Sequence, residues 1–137
     1  MLRDLILLVE DDPDDEELTL ATLREHHAGR VHVVRDGYAA VEYLQDQRNE
    51  LPRAVLLDLK LPKMHGSEVL RRIRSHARTE FLPVVIMTSS KQEEDRLSSY
   101  RGGANSFVTK PIEIGQFREA VRQVSSYWVI LNETVDF

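Results

Sequence analysis

Ala54-Val-Leu-Leu-Asp-Leu59 decides how the rest of this chain is read. A short run of Val and Leu, bounded by Pro52-Arg53 and Pro62, has the pattern of a buried strand. It ends in a single acid, Asp58. A carboxylate at that point sits on the carboxyl edge of a sheet, where open α/β folds bind their ligands. Taken alone, Asp58 is an acid at a strand end that meets solvent. The other strands change this, because three of them also end in charged or polar reactive residues.

Leu5-Ile-Leu-Leu-Val9 is a first strand, continuously apolar as a strand covered on both faces should be. Glu10 and Asp11 stand at its end. Asp12 suits an N-cap with Pro13 at the first helical position, and the acids from Asp14 to Glu17 suit the positive end of the helix dipole. The first helix is expected to run to about His27, with Leu18, Leu20, Ala21 and Leu23 inward and Gly29 ending it. Val31–Val34 is a second strand, followed by a turn at Asp36-Gly37 and a second helix over about Tyr38 to Asp46, with Ala40, Val41 and Leu44 inside. After Asp58, Pro62 and Gly66 punctuate a loop. A third helix carries Val69, Leu70, Ile73 and Ala77 at helical spacing.

Pro83-Val-Val-Ile-Met-Thr88 is a fourth strand with Pro83 at its first position. Ser89-Ser90 open a loop. The fourth helix, about Gln92 to Tyr100, has a thin apolar face of Leu97 and Tyr100, which predicts marginal local stability. Gly102-Gly103 break the chain before a fifth strand, Ser106-Phe-Val-Thr-Lys110, which Pro111 stops. The last helix starts near Glu113. Ile114, Phe117, Val121, Val124, Trp128 and Leu131 recur at steps of three and four, Ala120 and Tyr127 widen the stripe, and Asn132 is a fitting end. Five strands alternating with five helices predict a doubly wound α/β domain with a parallel sheet.

The chain has 137 residues, enough for one domain with a proper core. Its net charge of −5 argues against a general nucleic-acid or anionic-membrane surface. With no cysteine, disulfides, thiolate catalysis and Cys-based zinc sites are excluded. Leu5–Val9 is too short for a membrane span or signal region, so a cytoplasmic protein is expected.

Parallel strands bring Glu10, Asp11, Asp58, Thr88 and Lys110 to one edge. Clustered carboxylates repel one another unless something offsets them. A hard divalent cation with oxygen ligands, most simply Mg²⁺, and the point charge of Lys110 are the two available offsets. An acid so placed can attack a phosphoryl group and form an acyl phosphate, with Thr88 and Lys110 stabilising the transferring oxygens.

Val9-Glu-Asp-Asp-Pro-Asp-Asp15, Leu56-Leu-Asp-Leu-Lys-Leu-Pro62 with Gly66, Met87-Thr-Ser89 and Thr109-Lys-Pro111 resemble the motifs of response-regulator receiver domains, over about Leu5 to Val124. The resemblance implies a flavodoxin-like (βα)5 fold with strand order 2-1-3-4-5 and a sensor histidine kinase as partner. It implies Asp58 as phosphoacceptor and Asp11 as a direct Mg²⁺ ligand. Glu10 would act largely through water, and the backbone carbonyl of Lys60 would be a further ligand beside Asp58. It also implies a cis Lys110-Pro111 bond and a switch in which Thr88 moves toward the phosphate and the aromatic Phe107 turns inward. Phe107 is equally read as a core strand residue. The surface of the fourth helix, fifth strand and fifth helix would report the state.

Residues 1–126 are read as the receiver domain and 127–137 as an extension of the last helix. No helix-turn-helix or catalytic output domain is seen after the core. Lys60, the acidic Pro13-Asp14-Asp15 start and the Tyr127-Trp128 end are similar to the single-domain regulators that partner bacterial phytochrome kinases, which tend to form homodimers. Apolar residues from Tyr127 to Phe137, with Val129, Ile130, Val135 and Phe137 expected outside, point to a dimer contact through Phe117, Val121, Val124, Tyr127, Trp128 and Leu131. The alternative is a tail folded back on its own domain. Two other functions compete with the switch. A Mg²⁺-dependent phosphohydrolase using an aspartyl phosphate typically has a second acid two residues after its nucleophile, and Lys60 occupies that position. A degenerate receiver acting as a binding module would not need the acid, Thr and Lys set.

Overall fold

The computed structural model describes residues 4–26 and 29–135. Five strands, β1 (Ile6–Val9), β2 (Val31–Val34), β3 (Ala54–Leu57), β4 (Val84–Thr88) and β5 (Ser106–Thr109), form one parallel sheet in the order β2-β1-β3-β4-β5. Helices α1 (Pro13–His26), α2 (Gly37–Gln45), α3 (Gly66–Arg74), α4 (Glu93–Arg101) and α5 (Ile114–Ser125) alternate with them, and a π-helical turn, Ser126–Leu131, continues α5. The flavodoxin-like order expected from the sequence is therefore the observed one.

The continuous apolar strands explain the layering. Alternate side chains enter opposite cores. Leu7, Val9, Val55, Leu57, Val84 and Ile86 pack against α2 and α3, while Ile6, Leu8, Leu56, Val85 and Met87 pack against α1 and α5. One row of the register runs Val34, Val9, Leu57, Ile86, Phe107, which sets the strand ends side by side.

Helix starts follow their caps. Asp12 Oδ1 accepts from Asp14 N at 2.9 Å and Asp15 N at 3.0 Å, so the expected cap at Asp12 with Pro13 at the first helical position is real. Asp36 caps α2 through Ala39 N at 2.8 Å. Gly66 opens α3 where a Cβ would lie 2.4 Å from the Asp58 carbonyl oxygen. Only glycine lets α3 start this close to the end of β3.

Several expectations are corrected. In α1 the buried positions are Thr19, Thr22 and Leu23, and Ala21 is exposed, because the cap at Asp12 sets the helical phase. The expected end at His27 lies outside the described residues. Ala77 is exposed beyond α3, which stops at Arg74 with Ser75 as its cap. In α4, Leu97 and Tyr100 face solvent, and the single buried residue is Ser99. Its hydroxyl donates to the Asp95 carbonyl at 2.7 Å, so a small polar residue, not an apolar face, packs inward.

The end of the chain also differs. Phe117, Val121 and Val124 are buried in the protein's own core and are not available as dimer contacts. The wider π turn advances the register, so Val129 is buried whereas Trp128 is half-buried and Leu131 is exposed. Val129 was expected outside. Ile130 and Val135 are exposed as expected, and Phe137 lies outside the described residues. Asn132 does cap the turn, and the Arg53 guanidinium donates to its carbonyl at 2.6 Å, tying this segment to the start of β3.

Candidate functional site

Each reactive residue is placed by the strand that precedes it. Asp58 N donates to the Val9 carbonyl at 3.1 Å, which ties the last residue of β1 to the first residue past β3. That step lays Glu10 and Asp58 side by side. Lys110 N donates to the Thr88 carbonyl at 2.7 Å, which continues the β4–β5 ladder in the same way. Four of the expected residues, Glu10, Asp58, Thr88 and Lys110, are buried, and Asp11 is exposed at the mouth.

The Lys110 ammonium is the hub. Its Nζ lies 2.5 Å from Glu10 Oε1, 2.9 Å from Asp58 Oδ2 and 2.9 Å from Asp15 Oδ2. The other Asp58 oxygen, Oδ1, accepts from Lys60 N at 3.1 Å. Glu10 Oε2 accepts from Asp12 N at 3.2 Å. Burial pulls the Lys110 ammonium toward its neutral form, but the three carboxylates outweigh it and raise its pKa above the usual lysine value. Burial pushes the Glu10 carboxyl up to about 7, with the Asp58 charge adding to it and Lys110 opposing it. The cluster is thus short of positive charge even with its lysine in place.

That shortage fits a cation. Glu10, Asp11 and Asp58 each present a carboxylate oxygen, all within 4.8 Å of one another. An all-oxygen anionic set of this kind suits a hard divalent ion and not a soft one.

Thr88 is wholly buried, and its Oγ1 accepts from Ser90 N at 3.4 Å. Ser90 Oγ in turn donates to Asp95 Oδ2 at 2.5 Å, linking this loop to α4. Phe107 is half-buried against the α2–α3 core. The Lys110-Pro111 bond was expected to be cis. Among the described residues no peptide bond is cis, and the trans form is the ordinary preference of an X–Pro bond.

The sequence reading missed one member of the site. Asp15 was assigned to the helix dipole with its acidic neighbours, yet it reaches Lys110. The signal was available in the cap. With Asp12 as N-cap, Asp15 falls in the first turn of α1, on the side that returns toward the end of β1.

The response regulator receiver domain model matches residues 6–122. The probable methanogenesis regulatory protein FilR2 of Methanothrix harundinacea is 37% identical over 134 residues, covering 95% of this chain and 86% of that protein. The Mn²⁺-bound structure of response regulator Rcp1, a protein of Synechocystis, superposes with a TM-score of 0.91 at 33% identity, covering 97% of this chain and 99% of that one. The phosphorylated cyanobacterial phytochrome response regulator RcpA superposes with a TM-score of 0.92 at 32% identity, covering 98% and 99%.

Proposed function

This chain belongs to the response regulator receiver domain family, and from that premise we propose that it is a switch which takes a phosphoryl group from a sensor histidine kinase onto Asp58. The observation that carries the reading is the Lys110 ammonium held 2.9 Å from an Asp58 carboxylate that also belongs to a three-acid cluster. An Asp58 oxygen attacks the phosphorus of a phosphohistidine. The P–O bond forms as the P–N bond breaks, and the imidazole leaves. Lys110 and the Thr88 hydroxyl donate to the phosphoryl oxygens and stabilise the charge that develops there. Receiver domains take a divalent metal at this site, and Mg²⁺ is the ion we assign, held by Glu10, Asp11, Asp58 and the Lys60 carbonyl. When bound, it neutralises charge on the carboxylates and on the phosphoryl oxygens.

The protein signals by the state of Asp58 and not by turnover of another substrate. Lys60, two residues after the nucleophile, cannot serve as the general acid a hydrolase needs there. Thr88 and Phe107 are the switch residues, and the α4–β5–α5 surface carries the change to a binding partner or onward phosphotransfer. The likeness to RcpA favours a phytochrome kinase as the donor. The segment from Tyr127 to Val135 forms a homodimer contact in which Tyr127 and Leu131, both exposed, and the half-buried Trp128 take part. A cytoplasmic location suits this role. Among the described residues no helix is long and apolar enough to cross a membrane.

The test is intact-protein mass after incubation with acetyl phosphate, with and without Mg²⁺, for the wild type and Asp58→Asn, with light scattering on the same samples. A phosphoryl adduct that needs Mg²⁺ and is absent from the variant is the expected result. No adduct in a folded wild type would replace the switch with a binding module.

A further inference from the structure

Three acids share the Lys110 ammonium, and they are not equivalent. Glu10 and Asp58 belong to the three-carboxylate cluster, and Asp15 does not. Asp15 comes from the first turn of α1, where its own N–H is fixed by the Asp12 cap at 3.0 Å. Its side chain is 33% exposed, whereas that of Lys110 is 7% exposed. An ammonium has three N–H donors, so three acceptors saturate it.

Two of those acceptors change when the site is used as proposed above, and the inference rests on that reading. Glu10 would share its charge with a bound metal ion. The attacking Asp58 oxygen becomes the bridging oxygen of an acyl phosphate and loses its negative charge. Asp15 takes part in neither event. We propose that Asp15 is a positioning residue which keeps the Lys110 ammonium over Asp58 through the whole cycle, aimed at the incoming phosphoryl oxygens. A lysine stem has four rotatable bonds, and a fixed carboxylate at its far end removes the freedom that would otherwise be lost in the transition state. The opposite role, an anion that merely repels an anionic donor, predicts the opposite sign.

The experiment measures adduct formation by intact mass over a series of acetyl phosphate concentrations at saturating Mg²⁺. It compares wild type, Asp15→Asn, Asp15→Glu, Lys110→Ala and the Asp15→Asn/Lys110→Ala double variant, with Asp58→Asn as the control and Mg²⁺ affinity by calorimetry. Loss of one partly exposed charged hydrogen bond is expected to lower the limiting rate constant about 3- to 10-fold in Asp15→Asn. The Mg²⁺ Kd should stay within about twofold, Asp15→Glu should recover most of the rate, and the substitution should add nothing in the Lys110→Ala background. An unchanged or faster rate in Asp15→Asn overturns the proposal, as does an effect that persists without Lys110. A wild type with no Mg²⁺-dependent adduct, or an adduct retained in Asp58→Asn, overturns the underlying assignment of Asp58 instead.

Discussion

Lys110→Met removes the cation that joins Glu10, Asp58 and Asp15 while keeping the stem volume. The wild-type ammonium makes three contacts of 2.5–2.9 Å, to Glu10, Asp58 and Asp15. At an effective dielectric near 20, each gains on the order of 6 kcal/mol, and desolvation of the groups offsets most of it. Removing one side of such a pair typically costs about 3–5 kcal/mol, because the acids are left buried and uncompensated. For a domain of this size that is a fall in Tm of roughly 10–20 °C. The pH dependence sharpens the expectation. The Glu10 carboxyl already stands at about 7 in the fold, pushed up by burial against the pull of Lys110, so without Lys110 it moves higher still. A carboxyl raised in the fold favours the folded state fully below its unfolded value near 4.5, and that stability is lost as pH rises through the folded value. In the wild type the loss is largely complete above pH 7. In the variant it continues at about 1.4 kcal/mol per pH unit. Urea denaturation followed by circular dichroism at pH 6, 7.5 and 9, in EDTA, reads both quantities. A deficit below about 1 kcal/mol, or one that does not grow between pH 6 and 9, would refute the idea that Lys110 balances these acids.

Three further outcomes are expected. Mg²⁺ binding needs Glu10 ionised, so its affinity should rise about tenfold per pH unit below pH 7 and level off above it, measured by calorimetry; a flat profile from pH 5.5 to 8 would remove Glu10 from the metal set. Arg74 donates to the carbonyls of Gly103, Glu80 and Leu82 and to Asn105 Oδ1 at 2.7–3.1 Å. Arg74→Leu should therefore lower stability by about 2–4 kcal/mol while Asp58 still takes a phosphoryl group. Gly66→Ala places a methyl 2.4 Å from the Asp58 carbonyl oxygen and should cost about 1–3 kcal/mol and slow phosphorylation, because the Asp58 backbone must shift.

Strand ends were legible because the strands are short, continuous and apolar, so the first polar residue after each one marks the sheet edge. Glu10, Asp58 and Lys110 were found in this way, and the structure brings them into contact. Residues whose role depends on helical phase were harder. Asp15 sits in a run of acids that the dipole alone accounts for, and only the Asp12 cap singles it out. Leu97 and Tyr100 looked like an inner face because they are apolar, yet α4 packs through Ser99, and the exposed pair is left for solvent or a partner. Phe117, Val121 and Val124 followed the expected spacing but serve the core, since α5 covers β1, β3 and β4. A π turn leaves no mark on a period-3.6 pattern, which is why Val129, expected outside, is buried while Trp128 is only half-buried.

The π turn has a consequence for how such a chain could diverge. It behaves as a one-residue phase shifter placed after the last core helix. Were the same residues to run on as a plain α-helix, everything past the turn would be rotated by about 100°. Trp128 would then face the core slot that Val129 now fills, and the exposed Tyr127 and Leu131 would point elsewhere. The direction in which the tail presents itself is therefore set by the winding of this last turn. A lineage that gained or lost it would re-aim this exposed apolar surface, leaving every residue of the phosphorylation site untouched.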